Sequence, residues 1–198
     1  MGATMMRSNN KSAQGGFTIV ETMIAIAVLG IAIVTLIAAF ATAVARTQTA
    51  EENLIARQET LQALESVYTA RNTAQVSFSQ IANFPAGIFN SGPTQLLCPG
   101  PDGLYGTTDD VSCPANPPCA AGPECIVLPG PDGVLGTPDD QGMSLGNFTR
   151  TITISSVLNA GGTVDNTLKQ VNVTVTYTPA GLSTPRAYSV DALISAYY

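Results

Sequence analysis

Histidine is absent from all 198 residues. That removes the commonest general base, every Ser/His or Cys/His nucleophile pair, and imidazole as a metal ligand. Charge is scarce as well. Only 11% of the residues are charged while 45% are hydrophobic, a balance that points to a segment housed in lipid. Basic residues number 8 against 14 acidic, for a net charge of −6. Two of the basics, Arg7 and Lys11, fall in the first sixteen residues, so the chain beyond them carries 6 − 14 = −8. No basic patch is left to neutralise phosphates, which argues against nucleic acid as a partner. A nucleophile elbow, a phosphate loop and a paired acid/base set are also missing, and the chain reads as not an enzyme.

What is present begins with residues 1–16, short and polar, ending in Gly15-Gly16. An apolar run follows from Phe17 to about Ala45, with Thr18, Glu21, Thr22, Thr35 and Thr42 as its polar members and no proline. Roughly 20 apolar residues suffice for a membrane-spanning helix. Arg7 and Lys11 precede the run, so the positive-inside rule places residue 1 in the cytoplasm and the C-terminus outside it. An ordinary secretory signal has its small-residue cleavage site after a shorter apolar core. Here the run is too long and the Gly-Gly pair comes before it. A plain signal anchor fits the length but leaves Glu21 unexplained, since a carboxylate centred in a span costs about 2.5–3.5 kcal/mol.

The stretch Gly16-Phe17-Thr18-Ile19-Val20-Glu21, followed by Met23-Ile24-Ala25-Ile26-Ala27-Val28-Leu29-Gly30, resembles the class III signal of type IV pilins and pseudopilins. The resemblance implies cleavage by prepilin peptidase between Gly16 and Phe17, N-methylation of Phe17, and an assembly role for Glu21 at the fifth mature position. It also implies an inner-membrane protein with one span, handed from lipid through an assembly platform to other pilin or pseudopilin subunits. A new amine at Phe17 could then pair with Glu21 of a neighbouring subunit, because two paired charges in lipid cost far less than either alone.

Helical periodicity continues through residues 46–72, where Leu54, Leu61, Leu64, Val67 and Tyr68 recur at spacings of three, four and seven. Arg57, Glu59, Glu65 and Arg71 are expected to face elsewhere. One helix of about 50 residues results, its first half (17–45) in membrane and its second laid on a soluble domain.

Residues 73–146 are rich in Pro and Gly and lose periodicity. Within them, residues 99–110 recur at 129–140 with nine of twelve positions identical. Each copy contains Pro-Gly-Pro-Asp-Gly and a later Asp-Asp pair. Asp102, Asp109 and Asp110, with Asp132, Asp139 and Asp140 in the second copy, could gather carboxylate and carbonyl oxygens of the kind Ca²⁺ prefers. The pattern is not an EF-hand, but resembles the Asp-Gly-rich calcium loop of some major pseudopilins. The other reading is two polar turns with solvated acids. Cys98, Cys113, Cys119 and Cys125 lie in the same region. Outside the cytoplasm they suit two disulfides, with three pairings open. A zinc site is the rival, but no Cys-x₂-Cys pair supports it.

Residues 147–198 alternate as strands do. Phe148, Arg150, Ile152 and Ile154 share one face, as do Val171, Val173, Val175 and Tyr177, and Tyr188, Val190 and Ile194 follow. Asn159-Ala160-Gly161-Gly162 and Pro179-Ala180-Gly181 supply turns. The expected class is α+β, a long N-terminal helix on an antiparallel meander. That order is the pilin layout, and the strands around Lys169–Tyr177 and Arg186–Val190 look most like minor pilins of the V type and I/J-type minor pseudopilins. The functions this leaves are a minor pilus subunit, a minor pseudopilin of type II secretion, and a membrane-anchored calcium-binding adhesion module.

Overall fold

The computed structural model of the protein describes residues 16–179 and 183–197. The leader residues before Gly16, with Arg7 and Lys11, and the turn residues Ala180 and Gly181 lie outside the described residues.

One helix, α1, runs over Ile19–Asn72, 54 residues. Thr18 caps it: its hydroxyl accepts the Glu21 N–H at 3.3 Å. Thr18-Ile19-Val20-Glu21 thus has capping-box spacing, and the Glu21 carboxylate sits in the first turn, where the helix dipole favours it. From Ile31 to Asn72 no Pro or Gly interrupts the helix. It stops where Ala74 takes a left-handed φ of 59°. The Val76 N–H then bonds back to the Ala70 carbonyl at 3.1 Å.

The chain forms two compact units, dividing between Val44 and Ala45. In the first, every described residue is exposed, large apolar side chains such as Phe17, Ile24 and Phe40 included. A helix apolar all round belongs in lipid or within an assembly. Its length and composition are enough to cross a membrane.

The second unit joins the rest of α1 to six strands. They are β1 (Thr94–Gln95), β2 (Cys125–Leu128), β3 (Gln141–Ser144), β4 (Phe148–Leu158), β5 (Val164–Tyr177) and β6 (Arg186–Ser195). The expected meander is β4-β5-β6, and β1 adds a fourth antiparallel strand beside β4. β2 and β3 pair separately across the region that shows no period in sequence. These three strands are two to four residues long, too short for alternation to register.

The inward face of the meander matches the alternation. Phe148 opposes Tyr177, their rings stacked at 5.1 Å, and Arg150 opposes Val175 and Ile152 opposes Val173. The helix face differs from expectation. Leu54 and Leu61 are exposed, whereas Glu52, Glu59 and Arg71 are buried with Ile55, Ala56, Thr60, Ala63, Leu64, Val67 and Ala70. Ala56, Ala63 and Ala70, seven apart, are at most 1% exposed and let the sheet approach closely. The small residues select the face; Glu59 meets Arg150 and Arg71 donates to the Ala196 carbonyl across the interface, while the Thr60 hydroxyl bonds back to the Ala56 carbonyl of α1.

Candidate functional site

The first candidate segment is the start of α1. Gly16 and Phe17 precede the helix, and Phe17 is 80% exposed, so the bond between them is accessible. The threonines in the apolar run satisfy themselves. Thr22, Thr35 and Thr42 donate to the carbonyls of Ile19, Ala32 and Ala39 at 2.8–2.9 Å. Glu21 has no such recourse. Its carboxylate has no partner among the described residues, and it is the one charge between Phe17 and Ala45.

The cysteines settle into two bridges, Cys98–Cys113 and Cys119–Cys125. No free cysteine remains among the described residues, so the zinc alternative falls away. The first bridge is flanked by a backbone bond from Val111 N–H to the Cys98 carbonyl at 3.0 Å.

The two Asp-Gly copies fold alike. In the first, the Leu104 N–H donates to Asp102 at 2.8 Å, Gly106 N–H to Asp110 at 2.8 Å, and the Thr107 hydroxyl to Asp109 at 2.7 Å. In the second, Val134, Gly136 and Thr137 do the same for Asp132, Asp140 and Asp139 at 2.8, 2.7 and 2.6 Å. Burial raises the Asp102 carboxyl, with Asp109 adding to the effect, while the Thr107 hydroxyl lowers Asp109. Burial also raises Asp110. The structure therefore brings Asp102 and Asp109 side by side, and Asp132 and Asp139 likewise. Their hard oxygens suit Ca²⁺ in kind. Among the described residues no three His, Cys, Asp or Glu side chains form a metal-binding group.

A buried ionic cluster escaped the reading of the sequence. Arg150, 1% exposed, reaches from β4 to Glu59 on α1 at 3.0 Å, and its guanidinium lies 5.0 Å from the centre of the Tyr105 ring. Glu124, just before β2, is 3.9 Å from Arg150, too far for a hydrogen bond. Burial first, then the facing Glu59 carboxylate, pushes Glu124 up to about 8. With Arg150 bound to Glu59, burial and the facing carboxylate favour the protonated form of Glu124. The signal was in the alternation: an arginine at an inward position of β4 requires an acid across the interface.

Residues 11–42 match the model of the prokaryotic N-terminal methylation motif. No curated protein and no solved structure matches the chain. The matched span contains Gly16, Phe17, Glu21 and the apolar turns that follow, the same residues whose exposure and capping are described above. The chain therefore carries the N-terminal signal of type IV pilins and pseudopilins, which marks it for prepilin peptidase and for assembly with other pilin-like subunits.

Proposed function

We propose that the chain is a minor structural subunit of a type IV pilus or related filament, held in the inner membrane with its second unit outside the cytoplasm until assembly. The observation that carries this reading is the fully exposed apolar start of α1, headed by the methylation motif and bearing a single unpartnered carboxylate, Glu21. Cleavage after Gly16 frees an amine at Phe17. In an assembly, that amine and the Glu21 carboxylate of a neighbour neutralise each other, removing two costly charges from an apolar environment and setting axial register. The two disulfides support a location outside the reducing cytoplasm.

Intact mass spectrometry of sheared surface filaments and of membranes from the native cell tests the proposal. The expected mass begins at N-methylated Phe17, lacks four thiol hydrogens, and occurs in the sheared fraction. A processed mass confined to membranes favours a minor pseudopilin of type II secretion, which shares the signal. A mass retaining residues 1–16 removes the filament reading and leaves an anchored adhesion module.

Calcium belongs to the same proposal. The side-by-side Asp102 and Asp109, and Asp132 and Asp139, support it, while Asp110 and Asp140 accept the Gly106 and Gly136 N–H groups of their own loops. Bound Ca²⁺ would neutralise like charges and stiffen the loops. Added calcium is expected to raise Tm, and an unchanged Tm across a calcium titration removes the ion from the account.

A further inference from the structure

The two copies of the Asp-Gly loop share a backbone but not an environment. Gly103 and Gly133 have φ of 69° and 71°, and Gly106 and Gly136 have 78° and 88°. In the first copy the apolar pair Leu104-Tyr105 is docked. Leu104 is 2% exposed within the core. The Tyr105 hydroxyl accepts the Gln62 amide at 2.6 Å, beneath the Arg150 guanidinium. Gln75 donates to the Asp102 carbonyl and the Asn90 N–H to the Gly106 carbonyl. A Cβ on Gly106 would meet Ile152 at 2.5 Å. In the second copy the matching pair, Val134-Leu135, is 56% and 62% exposed. A Cβ on Gly136 would meet nothing within 4 Å. The Asp132 and Gly136 carbonyls accept no hydrogen bond among the described residues.

We propose that residues 129–140 are a preformed docking knob for a separate protein, one presenting an apolar socket rimmed by cations and side-chain amides. The first copy shows which surface this loop fits: an apolar floor with Gln62, Gln75 and Arg150 around it. The loop keeps its shape without that surface, so docking requires no refolding. Charge selects a cationic rim, because the loop itself carries Asp132, Asp139 and Asp140 and no basic residue stands between Arg71 and Arg150. Another copy of this chain offers no vacant socket, since its own first loop fills it.

Benzoylphenylalanine in place of Leu135, in the full chain in its native cell, tests this. The same residue in place of Leu158, also 62% exposed, is the control. The expected product is an adduct specific to position 135, joined to a different protein through a peptide with Lys or Arg beside apolar residues. Its yield should fall about tenfold with Val134→Ser at unchanged Tm, and should fall in high salt. An adduct with a second copy of this chain, with lipid alone, or with the same product from position 158 overturns the proposal, as does no adduct. Membranes and sheared filaments are read separately, so failure of the filament reading leaves this test standing.

Discussion

Arg150 is the residue on which the interior of the second unit turns. It stands on β4 between Phe148 of one apolar cluster and Ile152 of the other, and it ties β4 to α1 through Glu59. Removing one member of a buried pair leaves the other uncompensated, so Arg150→Ala should cost about 3–5 kcal/mol, measured by denaturant unfolding at neutral pH. Glu124 supplies a pH dependence. Unfolded, its carboxyl titrates near 4.5; folded, it holds its proton to about 8 because burial and Glu59 disfavour the charge, while Arg150 favours it and Asp110 adds to the repulsion. The folded chain binds the extra proton between those values. The resulting stability is complete below 4.5 and is lost as pH rises through 8. Tm should therefore fall between about pH 5 and pH 8 more steeply in the natural chain than in Glu124→Gln, compared by calorimetry. Equal slopes would remove Glu124 as the titrating group.

At the scale of elements, the exposed side of β4 is the weak point of the sheet. β1 covers it only at Thr149 and Arg150. Further along, Asn83 acts in place of a strand: its amide donates to the Ile152 carbonyl at 2.7 Å and its Oδ1 accepts the Ile154 N–H at 2.8 Å. An edge closed by a side chain cannot pair with another sheet there. Asn83→Ala removes both bonds, and the one its amide donates to the Asn90 carbonyl at 3.0 Å, and should lower stability by about 2 kcal/mol, with faster hydrogen exchange at Ile154 as the local sign. Lys169 fastens the same loop to β5, donating to the Phe78 and Ile81 carbonyls at 2.8 and 2.6 Å. Tyr68 fastens the end of α1 to β6 through the Leu193 carbonyl, and Arg71 to the residue just past β6 through the Ala196 carbonyl.

At the scale of the whole molecule, two units of different chemistry share one helix. The first exposes a mostly apolar surface, with Glu21 as its one charge between Phe17 and Val44, suited to lipid or neighbouring subunits. The second has its own core and two disulfides. Glu21 belongs to the first, and Glu21→Ala should reduce recovery of the chain in sheared filaments about tenfold or more, a loss of roughly 1.4 kcal/mol in assembly, while membrane insertion persists. Normal incorporation would limit Glu21 to capping α1 through its first turn.

The N-terminal signal, the apolar helix and the alternating faces of β4 and β5 were all legible in the sequence, because each is a local pattern: a motif, a run, a period of two. The helix end was legible only in part. Leucines at 54 and 61 suggested one buried stripe, yet the fold turned inward the face bearing Ala56, Ala63 and Ala70, with Glu59 and Arg71 beside them. Side-chain size at a contact, and the presence of Arg150 91 residues away, decide such a face, and neither has a local period. The cysteine pairing and the fates of the two Asp-Gly copies have the same origin. Twelve residues of near-identical sequence fold into one shape twice, but whether Leu104-Tyr105 or Val134-Leu135 is buried depends on which copy lies against α1 and β4. Local sequence by itself determined the signal, the span and the loop shape. Only tertiary contact decided which sulfurs meet, which charges pair, and which loop is left open to a partner, because those outcomes depend on what distant segments bring within reach.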